Sequence, residues 1–374
     1  MFHSLPVLMY HSISRFNHRL CVSPELFDDQ CRVLAKAGWR GVSLAEAENY
    51  FLRKRRLPQK TCLFTFDDGY LDNYANAEPI LRAHGHSGVI FTVIGLIDTG
   101  ETLRPTTDET DETAFSAPLP DLDTRSPMWR DTGYRVTPIV FCSWKEIAAM
   151  RERGAMNVAP HSMRHHRVIT SLTFKRLYAP NDRYSFFDVS PHRAVWGMPR
   201  FPLNHGLAHR GYLLTPELYA LVREMVPQQP VQAQTFLADE NNRNAVIAAI
   251  KKLPCIGVLE TEEQYRTRLA EEFTACREAY AAHLGITPKS FCWPWGSYTA
   301  IALEEAKKAG FQVFFTTLRG MNPYGKADAV CRIAVRGGTG KELLGKVQAA
   351  SSTLFELPFE AYRLAKKLKE QFFP

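Results

Sequence analysis

The hexapeptide Thr65-Phe66-Asp67-Asp68-Gly69-Tyr70 constrains this 374-residue chain more than any other stretch. Thr61 to Phe66 first alternates and then runs apolar, as a buried strand does, while Tyr70 to His84 has helical spacing that ends at Gly85. Two adjacent carboxylates therefore stand at the C-terminal end of a central strand, where α/β sheets collect their active sites. Like charges side by side raise the pKa of one partner unless a cation holds the other ionised. The pair thus reads as one metal ligand and one base. The plain alternative is a solvated Asp-Asp-Gly turn.

Around this stretch the chain alternates strands and helices. Pro6 to Tyr10 is a short strand that delivers His11 at its end. Ser23-Pro24-Glu25 opens a helix running to Gly38, and Ser43-Leu44-Ala45-Glu46 is a capping box that starts a second. Val89 to Ile94 is a strand of β-branched and aromatic residues. The segment 99–138, rich in Thr, Asp and Pro, reads as an inserted loop. The capping box Ser143-Trp144-Lys145-Glu146 then starts a helix, followed by a strand through Asn157-Val158-Ala159 that ends in His161. A second insertion, 171–259, begins irregularly with Phe186, Phe187, Trp196 and Phe201, then carries helices from Pro216 to Met225 and from Asn241 to Lys252. Its aromatics could cover a substrate or simply pack on the exterior. A long helix from Glu260 to Leu284, strands at Ser290 to Cys292, Gln312 to Thr316 and Cys331 to Val335, and a helix from Ala300 to Ala309 complete the pattern. The expected domains are a catalytic unit over 1–340 holding both insertions and a C-terminal amphipathic helix over 341–374.

Two further stretches carry chemistry. His161-Ser162-Met163-Arg164-His165-His166 follows a strand, and histidines four apart on one helical turn can face one cation. With an aspartate as third ligand they leave a position for water. His205 and His209 share the spacing across Gly206 but have no carboxylate motif beside them, and read as loop residues. Phe291-Cys292-Trp293-Pro294-Trp295-Gly296-Ser297-Tyr298 is a strand that turns sharply and presents aromatic faces, although structural aromatics at a turn would look the same.

Together these stretches resemble the NodB-type polysaccharide deacetylases, carbohydrate esterase family four. That family's signature, T-F-D-D-G, then H-[ST]-x-x-H, then R-P-P-[YF]-G, is matched by Thr65 to Gly69, His161 to His165, and Cys292 to Gly296. The resemblance implies a distorted (β/α) barrel and hydrolysis of an N-acetyl group on an amino sugar. Asp67 would be the base, while Asp68, His161 and His165 would hold one divalent metal, zinc foremost with cobalt and nickel as alternatives. The backbone N–H of Trp295 would serve the oxyanion, and Tyr70, Trp293 and Tyr298 would meet the substrate. Two departures matter. Cys292 stands where the family has an arginine that orients the base, and the late L-x-x-H that supplies the acid is absent, since no histidine follows His283. Leu8-Met9-Tyr10-His11 supplies L-x-x-H near the N-terminus instead, which resembles the circularly permuted branch containing poly-N-acetylglucosamine deacetylases. His11 then takes the acid role, and His166 rivals His165 as ligand.

Composition narrows the partners. A net charge of +7 is small for this length, and neither Arg53-Lys54-Arg55-Arg56 nor Lys366-Lys367-Leu368-Lys369 has the aromatic interleaving of a nucleic-acid binder. The expected partner is a carbohydrate, not a nucleic acid. The C-terminal helix, with Leu357, Ala361, Leu364, Leu368 and Phe372 on one face, would pack on its domain or touch a membrane peripherally. Eight cysteines without a C-x-x-C pair, and an N-terminus without a basic signal region, read as cytoplasmic. Hydrolysis of a non-sugar amide on the same fold, and a non-catalytic carbohydrate-binding protein, are the alternatives.

Overall fold

The computed structural model describes residues 3–15, 19–109, 141–180 and 195–352. The first two insertion-linked expectations, the loop within 110–138 and the aromatics Phe186 and Phe187, lie outside the described residues, as does the apolar face beginning at Leu357.

The centre is a sheet of parallel strands. β1 (Val7–Tyr10), β2 (Ser12–Ile13) and β3 (Cys21–Val22) lead through α1 (Pro24–Lys36) to β4 (Arg40–Gly41), α2 (Leu44–Phe51) and β5 (Thr61–Phe66). A π-helical turn at Asn73–Ala77 and α3 (Glu78–Ala83) follow, then β6 (Gly88–Thr92), α4 (Trp144–Arg153) and β7 (Met156–Pro160). The predicted helix over Tyr70 to His84 is therefore not uniform, because one extra residue is accommodated in its first turns. Expected caps are present: Ser43 and Ser143 each form a reciprocal box with the glutamate three residues on, and Ser23 accepts the Leu26 N–H ahead of Pro24.

Pairing runs β14–β1–β5–β6–β7, with β4 beside the start of β5, where β14 is Ile333–Ala334. β1 lies in register with β5 from Val7 opposite Leu63 to Tyr10 opposite Phe66. A parallel sheet is buried on both faces, and all six residues of β5 are buried. Alternation decides what each face carries. Leu8, Tyr10, Cys62, Phe64, Phe66, Ile90 and Val158 face the helices, in one core with Phe27 and Leu34 of α1. Val7, Leu63, Val89, Phe91 and Ala159 fill the interior, together with Cys292, Val313, Phe315 and Val330. The same period of two carries Asp67 inward after Leu63 and Thr65, and His161 inward after Ala159.

Between β7 and the second half of the barrel the chain forms β8 (Arg167–Ile169), β9 (Leu203–His205), β10 (Tyr212–Leu214), α5 (Pro216–Met225), α6 (Pro230–Ala238), α7 (Glu240–Lys251) and β11 (Gly257–Leu259). This insertion has its own core: Trp196, Phe201, Leu218, Val222, Val246 and Ile250 gather around Phe141. The long α8 (Glu262–Leu284), capped by Thr261 and by Gly285 in the left-handed region, returns the chain to β12 (Ser290–Cys292), α9 (Ala300–Lys308) and β13 (Val313–Phe315). α10 (Gly340–Ala350) packs on α1, with the Gly340 N–H donating to Asp29 at 2.7 Å and Leu343 and Val347 in the main core.

Parallel β12 and β13 pair with each other, and Phe315 of β13 bridges Val330, just ahead of β14. Among the described residues β7 and β12 share no ladder. Across that seam His161 Nδ1 meets the Cys292 carbonyl at 2.9 Å. The architecture is a distorted (β/α) barrel in which, among the described residues, no ladder joins β7 to β12 and only the Phe315–Val330 bridge links β13 toward β14. No helix among the described residues is long and apolar enough to cross a membrane.

Candidate active site

The C-terminal ends of β5 and β7 and the start of the chain bring the expected groups together. Asp67 and Asp68 follow β5, both almost fully buried, and Asp68 takes a left-handed φ of 77°. His161 ends β7. The loop after it is not the helical turn expected from the spacing: Ser162 has φ 101° and His165 φ 47°. Ser162 Oγ accepts the His165 N–H at 2.8 Å, and Glu272 of α8, a buried carboxylate, accepts the N–H groups of Met163 at 2.8 Å and Arg164 at 3.3 Å. This lattice folds the loop back so that both imidazoles reach one carboxylate.

His161 Nε2 and His165 Nε2 each lie 3.6 Å from Asp68 Oδ1, and the three atoms lie within 4.8 Å of one another. At 3.6 Å these are too long for hydrogen bonds. They are near the roughly 3.3 Å edge that two ligand atoms make around a cation bound at about 2.0–2.1 Å. Burial lowers the pKa of both imidazoles, which leaves them neutral, as metal ligands must be. The Cys292 carbonyl fixes Nδ1 of His161 as the protonated nitrogen and Nε2 as the free lone pair. A carboxylate and two neutral imidazoles arranged this way fit a divalent cation. His166, the rival ligand, points elsewhere: its Nε2 lies against Gly206, and burial followed by Arg268 and Arg164 lowers it to about 4.

Asp67 faces the same space. Burial pushes its carboxyl up, but the Arg332 guanidinium overrides this and holds it well below the usual carboxylate range. The contact is two-pronged, Nη1 to Oδ1 at 2.6 Å and Nη2 to Oδ2 at 2.8 Å, and Arg332 Nε also donates to the Thr316 carbonyl at 2.7 Å. Arg332 thus gives Asp67 the cationic partner that Cys292 seemed to have displaced. It arrives from the strand edge beside β1, and Cys292 fills the remaining room as a thiol 3.7 Å from Asp67 Oδ1. A charged residue inside the apolar run Cys331-Arg332-Ile333-Ala334-Val335 was the available signal, because such a strand position needs a buried counter-charge.

His11 stands at the end of β1, partly exposed, with Nε2 3.9 Å from Asp67 Oδ2. Its backbone is clamped from the π-helical turn. Asn73 Nδ2 donates to the His11 carbonyl at 2.8 Å, Asn76 Nδ2 to that of Ile13 at 2.7 Å, and Asp72 accepts from Ser12 and from the Ile13 N–H. Burial raises Asp72 to about 6, above the roughly 3.9 of an unfolded chain. The native state therefore favours the proton. Stability from this group is full below pH 4 and is lost as pH rises toward 6. Asp72→Asn is expected to flatten that part of the profile, a difference of up to about 3 kcal/mol. Denaturant unfolding of both proteins at pH 4 and pH 7 checks it.

The third motif divides between wall and core. Trp295 sits at φ 55° in the turn Pro294–Gly296, and Gly296 is needed there because a Cβ would come 2.4 Å from the Thr317 nitrogen. The Trp295 ring lies 4.1 Å from that of His165 and stacks on His205 at 4.3 Å, with the Arg167 guanidinium 5.2 Å from its centroid. His205, set aside as a loop residue in the sequence, is thus a wall of the site, carried there by β9 pairing with β8. Trp293 is not at the substrate face. It is completely buried and stacks between Tyr298 and Phe314, since strand alternation after Cys292 turns it toward the helices. Tyr298 keeps partial exposure. Tyr70 is half-buried, stacks on Phe141, and donates its hydroxyl to Asp68 Oδ2 at 2.8 Å, so it holds that carboxylate in place.

Residues 54–184 match the family described as polysaccharide deacetylase. Over 307 residues, 82% of this chain, the sequence is 21% identical to the poly-beta-1,6-N-acetyl-D-glucosamine N-deacetylase of Escherichia coli (strain K12). The chain spans about a third (32%) of the length of the curated relatives it matches. Among solved structures it is similar to a de-N-acetylase from Aggregatibacter actinomycetemcomitans, with TM-score 0.58 and 19% identity over 92% of this chain and 99% of that one. It is also similar to IcaB from Ammonifex degensii, with TM-score 0.52 and 20% identity over 94% and 98%. The likeness to these structures is one of fold, and it agrees with the resemblance drawn from the three motifs.

Proposed function

We propose that this chain is a metal-dependent hydrolase that removes an N-acetyl group from an amino sugar in a glycan or glycoconjugate. The observation that carries the reading is the division of labour between neighbouring carboxylates: Asp67 is locked to Arg332, while Asp68 faces two neutral imidazoles. A divalent cation held by Asp68, His161 and His165, zinc foremost, would polarise the amide carbonyl and acidify the attacking water. Asp67, kept ionised by Arg332, takes the proton of that water as its oxygen attacks the carbonyl carbon. The Trp295 N–H is the backbone donor assigned to the developing oxyanion. His11, within 3.9 Å of the base, gives a proton to the departing nitrogen as the C–N bond breaks, leaving acetate and a free amine.

The likeness to proteins named as glycan deacetylases supports a sugar amide as substrate. One ground for a non-sugar amide, the missing arginine, is weakened by Arg332. The eight unpaired thiols support a reducing, cytoplasmic setting, which we keep as part of the proposal. Acetate release from a panel of N-acetylated sugars and oligosaccharides, measured with metal removed and restored, tests the reading. Asp67→Asn is expected to keep its metal and to lose rate by roughly 10² to 10⁴. Undiminished release by that variant would remove Asp67 from the mechanism, and metal binding without acetate from any sugar would favour the non-sugar amide.

A further inference from the structure

Among the described residues, six other than glycine take positive φ. Four of them, Asp68, Ser162, His165 and Trp295, form the site just described. The other two, Arg53 at 58° and Lys60 at 57°, bracket a single loop at the opposite end of the barrel. Left-handed backbone at a long side chain is costly and collects where a loop must hold a set conformation. Here the loop carries Arg53, Lys54, Arg55, Arg56 and Lys60, all exposed.

Beneath this loop lies a cavity of about 460 Å³ lined by His3, Trp39, Arg56, Gln59, Lys60 and Gln348, among others. Its charged lining is entirely cationic. Arg56 is braced 4.4 Å over the Tyr324 ring, and Lys60 Nζ is tethered to the Ala37 carbonyl at 2.9 Å with further N–H groups to spare. The nearby carboxylates of α2 are committed elsewhere, Glu46 to Arg40 and Glu48 to Ser290. Trp39 is 5% exposed, and among the described residues its indole N–H has no acceptor; Nε2 of His3 is likewise buried without a partner among them. A buried N–H left unsatisfied costs on the order of 1–3 kcal/mol. The lining thus combines two braced cations, two amides and an unused donor.

We propose that this cavity binds a phosphate-bearing anion, at a site separate from the catalytic centre. β5 leads from Lys60 to Asp67 through six extended residues, which puts about 20 Å between the two sites. The proposal does not depend on the deacetylase reading. Phosphate could come from a soluble compound or from a lipid headgroup at a membrane surface, and the recognition chemistry is the same.

The test uses the full chain with its metal restored and two probes. Inorganic pyrophosphate is titrated calorimetrically, and vesicles of phosphatidylcholine with or without about 30% phosphatidylglycerol are assayed by sedimentation. Saturable binding at or below about 1 mM is expected for at least one probe. The double variant Arg56→Glu, Lys60→Glu is expected to weaken it about tenfold or more, and Trp39→Phe, which keeps the ring and removes the donor, several-fold. Asp68→Ala should leave it unchanged. Binding of pyrophosphate assigns a soluble ligand, and binding of anionic vesicles alone assigns a headgroup. The proposal falls if neither probe binds saturably, if the charge reversal has no effect, or if Asp68→Ala abolishes binding and thereby moves it to the catalytic centre. Arg56 and Lys60 are exposed, so the thermal melt of the double variant should match the parent and separate lost binding from lost fold.

Discussion

Arg332→Met is expected to lower hydrolysis at pH 7 by on the order of 10² and to destabilise the fold by about 3–5 kcal/mol. Both effects have one origin. In the parent, burial drives the Asp67 carboxyl toward the neutral form and the guanidinium reverses this. Remove the cation and burial is opposed only by the weaker pull of His161 and His11, so the carboxyl shifts toward the protonated form in the range where it should accept a proton. The native Asp67 contributes stability that is present above its unfolded pKa near 3.9 and lost only as pH falls through a much lower folded value. In the variant that contribution changes sign. The acid limb of the rate profile should therefore move upward into the accessible range, and the unfolding midpoint should rise as pH is lowered toward 5. Arg332→Lys keeps the charge but cannot donate along two parallel bonds, so an intermediate profile is expected. A rate profile unchanged by Arg332→Met would detach the arginine from the base.

Asp68→Ala and His161→Ala are expected to weaken divalent metal binding by more than about 100-fold each, read by metal analysis after dialysis and by direct titration. Tyr70→Phe should cost about 10-fold, because it removes only the hydroxyl that donates to Asp68 Oδ2. The gradation separates ligands from their supports. His166→Ala should leave metal affinity unaltered, since its ring is turned toward Gly206. Equal affinity in all four variants would remove the proposed metal centre.

Much of the fold was legible because strands buried on both faces leave a strong trace. Thr61 to Phe66 reads as a core strand without any partner being known, and the caps at Ser43 and Ser143 fix helix starts from local chemistry alone. The carboxylate pair was legible for the same reason: its position follows from the strand that precedes it. His165 was legible as a residue but not as a geometry. A spacing of four suggests a helical turn, whereas the left-handed path that the loop follows is held by the Ser162 hydroxyl together with a long-range group, Glu272 of α8. Arg332 was hidden because pairing between residues 265 apart leaves no periodic mark. Trp293 was misjudged because an aromatic beside a turn looks the same whether it faces the site or the core. Here one step of strand alternation sends Cys292 inward and Trp293 toward the helices. The π-helical turn at Asn73–Ala77 had no signal in apolar spacing; its purpose shows only in the two asparagine amides that hold the backbone around His11.

The union of Asp67 with Arg332 also ties the first strands of the sheet to the last. A fragment long enough to contain β1, β5 and β6 already holds His11, Asp67 and Asp68, yet it lacks the guanidinium against which Asp67 is buried. Closing those strands without residue 332 would bury the Asp67 carboxyl without its counter-charge, so the sheet is expected to gain its full stability only when the last strand is in place. Fragments ending before it are expected to be less stable than the full chain, since Asp67 would lack the guanidinium that it meets at 2.6 and 2.8 Å.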